Sequence, residues 1–165
     1  MAKESVLIKS IPCAPHIRQY FISEYGAEPI QAHQKSFIGT AILCVAQKMP
    51  YRILAEKNQP ADCALLVQLP TALKHYTITN DAAKNLGKHL EKEFQRNLIM
   101  FVKGQVAVTQ NELHAIKMFY EHYQIDSETY DFDAARKIWR DYKDRLLNTL
   151  AKNADKIGRR LSKAA

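Results

Sequence analysis

Glycine is scarce in this chain. Its five glycines, at positions 26, 39, 87, 104 and 158 of 165 residues, spell neither GxGxxG nor GxxxxGK followed by Ser or Thr. No phosphate-cradling loop of those two kinds is therefore encoded. GxSxG and HExxH are missing as well, which removes the signals for a nucleophile elbow and a zinc-protease helix. The three cysteines, Cys13, Cys44 and Cys63, form no CxxC pair. Odd in number and widely spaced, they read as reduced thiols of an intracellular protein. No apolar run approaches the roughly 18 to 20 residues needed to span a bilayer. The opening "MAKESVLIKSIPCAP" has no basic region followed by a continuous apolar block, so no signal peptide is expected. No internal repeat or heptad array is evident.

What is present is a sizeable core and a lopsided charge. The hydrophobic fraction is 47%, ordinary for a folded domain. The net charge is +7. Residues 134–165 hold ten bases and three acids, a net of +7, whereas residues 1–133 hold 14 of each. The whole excess thus lies at the carboxy-terminal end, the pattern of a basic arm facing a polyanion.

The pattern of the first half predicts a small sheet with helices between its strands. "SVLIKSI", 5–11, is short and β-branched and reads as a strand. Pro15 opens a helix that runs to about Tyr25, with Gly26 placed to stop it. The apolar stretch 32–50 carries Phe37, Ile38, Ala41, Ile42 and Val45 at helical spacing, which favours a buried helix ended by Pro50, with a strand pair as the competing reading. The runs "YRILAE", "ALLVQLP" and "HYTIT" between 51 and 79 predict short strands. From Asn80 onward the reading is helical. Thr79 or Asn80 caps a helix with a stripe of Ala83, Leu86, Leu90, Phe94, Leu98, Phe101 and Val102, and Gly104 stands where it would end. Thr109 to Glu112 spells a capping box for the next helix, whose stripe is Leu113, Ile116, Phe119, Tyr120 and Tyr123. Asp126 and Ser127 are candidate caps at the following turn. A last helix begins near Asp131 and runs to about Leu150, with extension beyond it left open.

Few residues point to chemistry. His89 and Glu93, four apart on one helical face, have ligand spacing, but no second His or Cys pair supports a metal site. His114, His122 and Glu121 read as boundary residues rather than acid–base groups. Cys44, between Leu43 and Val45, reads as an inert buried thiol. No catalytic residue, metal ligand or cofactor is assigned.

The last helix, by contrast, is rich in signal. Phe132, Ala135, Trp139, Tyr142, Leu146 and Leu150 form a core-facing stripe. Arg136, Arg140 and Lys143 share a side, widened by Lys137 and Arg145. Asp141 and Asp144 interrupt this side and are placed to pair with Arg145 and with Arg140 or Lys137. Beyond Leu150, Lys152, Lys156, Arg159, Arg160 and Lys163 make a sparse basic tail with only Ile157 and Leu161 as apolar support. Gly158 weakens helix there by roughly 1 kcal/mol. A frayed tail that becomes helical on a polyanion is expected.

"TITNDAAKNLGKHLEKEF", 77–94, followed by "FYEHYQIDSETYDFDAARKIWRDYKDR", 119–145, resembles small proteins carried by bacteriophages and mobile elements. In these a helical hairpin ends in an aromatic and basic helix. The resemblance implies an accessory protein and carries no site residues.

The expected fold class is α+β and mainly helical, with a small sheet from the amino-terminal half and a carboxy-terminal three-helix bundle. Residues 1–150 form one domain, sheet-containing over about 1–79 and helical over about 80–150, and 151–165 form a flexible basic tail. The expected function is non-enzymatic nucleic-acid binding, to DNA rather than RNA, in a cytoplasmic accessory or regulatory protein. Arg136, Lys137, Arg140, Lys143, Arg145, Lys152, Lys156, Arg159, Arg160 and Lys163 would carry it. The alternative is an assembly or inhibitor module that binds an acidic protein; no membrane partner is expected.

Overall fold

The computed structural model describes residues 7–49, 62–69, 73 and 76–161, with the side chains of 157–161 excepted. Pro50, the run 51–56, part of "HYTIT" and Lys163 lie outside the described residues. The chain is α+β and mainly helical, as its pattern predicts. Its elements in order are β1 (Ile8–Pro12), α1 (Pro15–Tyr25), β2 (Ile30–Gln31), α2 (Phe37–Val45), β3 (Gln47–Lys48), β4 (Ala64–Gln68), β5 (Tyr76–Thr77), α3 (Asn80–Thr109), α4 (Glu112–His122) and α5 (Phe132–Leu161).

Strands β1, β4 and β2 form one sheet in that order. β1 runs antiparallel to β4, with Ile8 opposite Gln68 and Pro12 opposite Ala64, and β2 runs parallel to β4. β3 and β5 make a separate antiparallel pair. In β4 only Leu65 and Val67 point into the core while Leu66 is exposed, the alternation of a sheet covered on one face. Helix α3 supplies that cover. Gly87 is needed there, because a Cβ at this position would stand 2.0 Å from the Pro12 carbonyl oxygen.

Helix ends follow their chemistry with two departures. Pro15 occupies the first turn of α1, and Gly26, at φ 90°, donates its N–H to the Ile22 carbonyl and closes it. The apolar stretch at 32–50 yields a shorter helix than expected, 37–45, because the Ser36 side chain accepts from the Gly39 N–H and starts it there. Gly39 permits a close crossing: a Cβ would lie 1.9 Å from the His33 carbonyl oxygen. Thr79 caps α3. Gly104, however, does not end α3. The helix continues to Thr109, and Gln110, in the left-handed region at φ 53°, closes it. The Thr109 hydroxyl therefore donates back to the Gln105 carbonyl, and the capping box does not form. Asn111 caps α4 instead, its side chain accepting from the His114 N–H at 3.0 Å. Asp126 serves the turn, accepting from the Glu128 N–H, and Asp131 starts α5, accepting from the Asp133 N–H.

α3, α4 and α5 pack together around an aromatic core. Phe94, Phe101, Phe119 and Tyr123 meet edge-on or tilted, and Tyr20 of α1 joins them. His16 stacks on Tyr130 at 4.0 Å, and burial pushes its pKa down to about 4. The Tyr120 hydroxyl donates to the Tyr130 and Asp131 carbonyls, which pins the start of α5 to α4. The expected core stripes fail at one end each. Leu113, Leu146 and Leu150 are exposed; Leu113 lines an open cleft against α5 and Leu146 an open groove against α3.

One further expectation is corrected. Cys44 is exposed, not buried. α2 has nine residues and buries a single stripe, Ile38, Gly39 and Ile42, which leaves Leu43 and Cys44 on the open side. Past Leu150, α5 continues through residues 151–161 to Leu161.

Candidate nucleic-acid interface

Helix α5 is 30 residues long and changes character along its length. Its first three turns are fixed to the body. Ala135 is fully buried and Trp139 is 6% exposed. The Trp139 ring stacks on Tyr142 at 5.5 Å. Both aromatics therefore serve packing first. From Asp144 to Lys156 every residue is exposed.

On the side of α5 that faces α4, Arg136, Lys137, Arg140 and Lys143 line a cleft of about 570 Å³ together with Glu112, Leu113, Ile116, Asp133 and Trp139. The charges here are partly matched. Lys143 Nζ donates to Glu112 Oε1 at 2.6 Å, and Arg136 Nη1 donates to Asp133 Oδ1 at 3.0 Å. The Lys143 hydrogen bond, helped by the Trp139 indole, holds the Glu112 carboxyl below its ordinary range. Trp139 Nε1 nevertheless makes no hydrogen bond of ordinary geometry. Lys137 and Arg140 have no carboxylate partner among the described residues. The pairing expected for Asp141 and Asp144 does not occur. Arg145 Nε donates instead to the Asp141 backbone carbonyl, because the acids that reach the bases come from the helix start and from α4.

Arg145 lies on a different flank. It lines a groove of about 500 Å³ with Tyr142, Leu146 and Thr149 of α5 and with Lys92, Gln95, Arg96 and Ile99 of α3. Lys92 and Arg96 were not among the residues expected to bind a partner. Their signal was readable, since Lys88, Lys92 and Arg96 recur every fourth residue on α3. Arg96 is held by Glu93 at 2.9 Å.

The distal bases form a third set. Lys152 and Lys156 are exposed, and Arg159 and Arg160 occupy helical positions. On an unbroken helix each residue turns roughly 100°. Arg145, Lys152, Lys156 and Arg159 then fall within about 60° of one another, and Arg136 and Arg140 lie across the helix from them. The sequence-predicted residues are thus divided, not gathered: one cluster beside α4, and one stripe on the opposite face that runs out along the helix.

No group of three or more His, Cys, Asp or Glu side chains able to hold a metal occurs among the described residues. His89 is exposed, Glu93 is engaged by Arg96 and Asn97, and the His122 ring packs on Phe101 and Tyr123. No described helix is long and apolar enough to cross a membrane. The chain matches no protein family, no curated protein and no solved structure in the three comparisons.

Proposed function

We propose that this protein is a non-enzymatic, cytoplasmic nucleic-acid-binding accessory or regulatory protein, and that the distal half of α5 grips the phosphate backbone. One observation carries the reading: α5 continues helically to Leu161 beyond its buried stretch, with Arg145, Lys152 and Lys156 exposed on one face. A preformed helix places its cations at fixed intervals without an ordering cost on binding. The balance of 14 bases and 14 acids over residues 1–133 leaves this arm as the source of net positive field. Arg136, Lys137, Arg140 and Lys143 flank the cleft beside α4 and serve as a second, weaker contact. DNA is favoured over RNA as the polyanion, and no base-reading motif accompanies the arm. The phage or mobile-element setting rests on the resemblance of the 77–94 and 119–145 stretches.

The test is a titration of the full chain with duplex and single-stranded DNA and RNA at two salt concentrations. Affinity that falls steeply with salt supports the reading. Absence of binding at low ionic strength removes it.

A second reading, a protein-interaction module for an acidic protein, draws on one feature. Leu146, Leu147 and Leu150 are 45%, 62% and 56% exposed among the bases. A pull-down after nuclease treatment separates the two readings, since only a protein partner survives it.

A further inference from the structure

Strands β1 and β4 bring together two cysteines that lie 50 positions apart in the chain, Cys13 and Cys63. Pro12 stands opposite Ala64 at the end of the ladder. One step further, the Cys13 N–H donates to the Cys63 carbonyl at 3.3 Å. The register thus sets Cys13 directly across from Cys63. Directly opposed residues put their side chains on the same face of a sheet. Here it is the core face, because Ile11 and Leu65, the opposed pair two residues further in, are both buried. Cys13 and Cys63 are half-buried, whereas Cys44 is exposed.

A hydrogen-bonded antiparallel pair holds its Cα atoms about 5.5 Å apart, inside the roughly 4.4 to 6.8 Å that a disulfide bridges. The strands end at Pro12 and Ala64, so the backbone at this pair can adjust without breaking the sheet. Arg18 of α1, held by Glu28, places its guanidinium near both thiols, and a neighbouring cation favours a thiolate. Burial, with Cys63 close by, nevertheless pushes the Cys13 thiol up to about 12. Cys13 is therefore a poor first nucleophile and takes the part of the resolving thiol.

We propose that Cys13 and Cys63 form a redox-modification site, oxidised by a low-molecular-weight disulfide to a cystine that clamps β1 to β4. The Cys63 thiolate attacks one sulfur of the external disulfide and expels the other half, which takes up the proton that Cys63 lost. The mixed disulfide on Cys63 then faces Cys13. The Cys13 sulfur attacks the Cys63 sulfur, and the second half departs with the Cys13 proton. The two protein thiols are oxidised to one disulfide, and the external disulfide is reduced to two thiols. The bond fastens an edge strand, since β1 pairs with β4 alone in the three-stranded sheet. It also fixes the strand against which α3 rests at Gly87. A reducing thiol pool keeps the pair open, and an oxidised one closes it. This inference does not depend on nucleic-acid binding.

The test treats the folded full chain, in a Cys44→Ser background, with oxidised glutathione at neutral pH. The expected product is a chain lighter by two hydrogens, with Cys13 joined to Cys63 in its peptide map and both thiols restored by dithiothreitol. Its thermal midpoint rises by about 5 °C or more over the reduced chain, because the bond constrains a long loop of the unfolded state. Cys13→Ser in the same background stops at the mixed disulfide on Cys63, and Cys63→Ser reacts at least tenfold more slowly. Thiols that stay free, or glutathione retained on both cysteines, overturn the proposal. So does a bond that forms only in urea or that lowers the midpoint. Equal rates in the two serine variants overturn the order of attack.

Discussion

The two halves of α5 are alike in their cations and differ in their apolar residues, aromatic in the first half (Phe132, Trp139, Tyr142) and aliphatic in the second. Between Phe132 and Lys143 the aromatics are packed and two of the cations are matched by carboxylates, Arg136 by Asp133 and Lys143 by Glu112. Between Asp144 and Lys156 every side chain is exposed. The difference lies in the neighbours. α4 begins at Glu112, so it covers α5 only as far as Lys143. Within reach of the body, two of the four cations find an acid and the aromatics find a core. Beyond it, the cations and the leucines remain available to a partner.

The sharpest break between the halves is energetic. Trp139→Ala should lower unfolding free energy by about 3 to 5 kcal/mol, as loss of a buried large aromatic does. Urea denaturation measures it, and an unchanged midpoint would show that Trp139 is not an anchor. A smaller contrast of the same kind exists on α3. Gly87→Ala should cost about 1 to 3 kcal/mol, because its Cβ meets the Pro12 carbonyl. Gly104→Ala should stabilise by up to about 1 kcal/mol, because nothing stands within 4 Å of the new methyl group.

The ion pair at the junction is next. Glu112→Gln should cost under about 1 kcal/mol at neutral pH, since both partners are substantially exposed. The folded Glu112 carboxyl titrates below its unfolded value of 4.5. Its contribution is therefore fully present above pH 4.5 and is lost as the pH falls through the folded value. The wild type and Glu112→Gln should accordingly converge in stability in acid. Smallest of all, Leu150→Ala in the distal half should change monomer stability by no more than about 0.5 kcal/mol. A loss as large as that of Trp139→Ala would show that the distal half is buried after all.

Much of this contrast was legible in the residues themselves. Strands β1, β4 and β5, the bounds of α1 from Pro15 and Gly26, the Thr79 cap and the packing role of Trp139 follow from local chemistry and periodicity, whereas the two-residue strands β2 and β3 were not read. So does the opposition of Arg136 and Lys152 on a straight helix. What was not legible depends on where a neighbour ends. Periodicity places Leu146 and Leu150 in the same stripe as Trp139, and nothing local says that the start of α4, at Glu112, packs level with Lys143 of α5. The same holds for Cys44, whose exposure follows from the single buried stripe of α2. The capping box failed because α3 runs five residues past Gly104 and absorbs Thr109. Gly104 is exposed, and the roughly 1 kcal/mol of propensity it costs is small beside the packing of Leu98 and Val102. The tail past Leu150 was read as frayed from its sparse apolar content, with extension of the last helix left open, and α5 runs on to Leu161.

The central claim is that the distal stripe, and not the body-packed half, grips a polyanion. The direct measurement is the slope of log affinity for duplex DNA against log salt, for the wild type and for the variant with Lys152, Lys156, Arg159 and Arg160 all changed to Gln. The variant should fold with wild-type stability, and its slope should be shallower by up to about 3.6, as the loss of four phosphate contacts at roughly 0.9 each requires. An unchanged slope, with equal affinity at every salt concentration, would contradict the account.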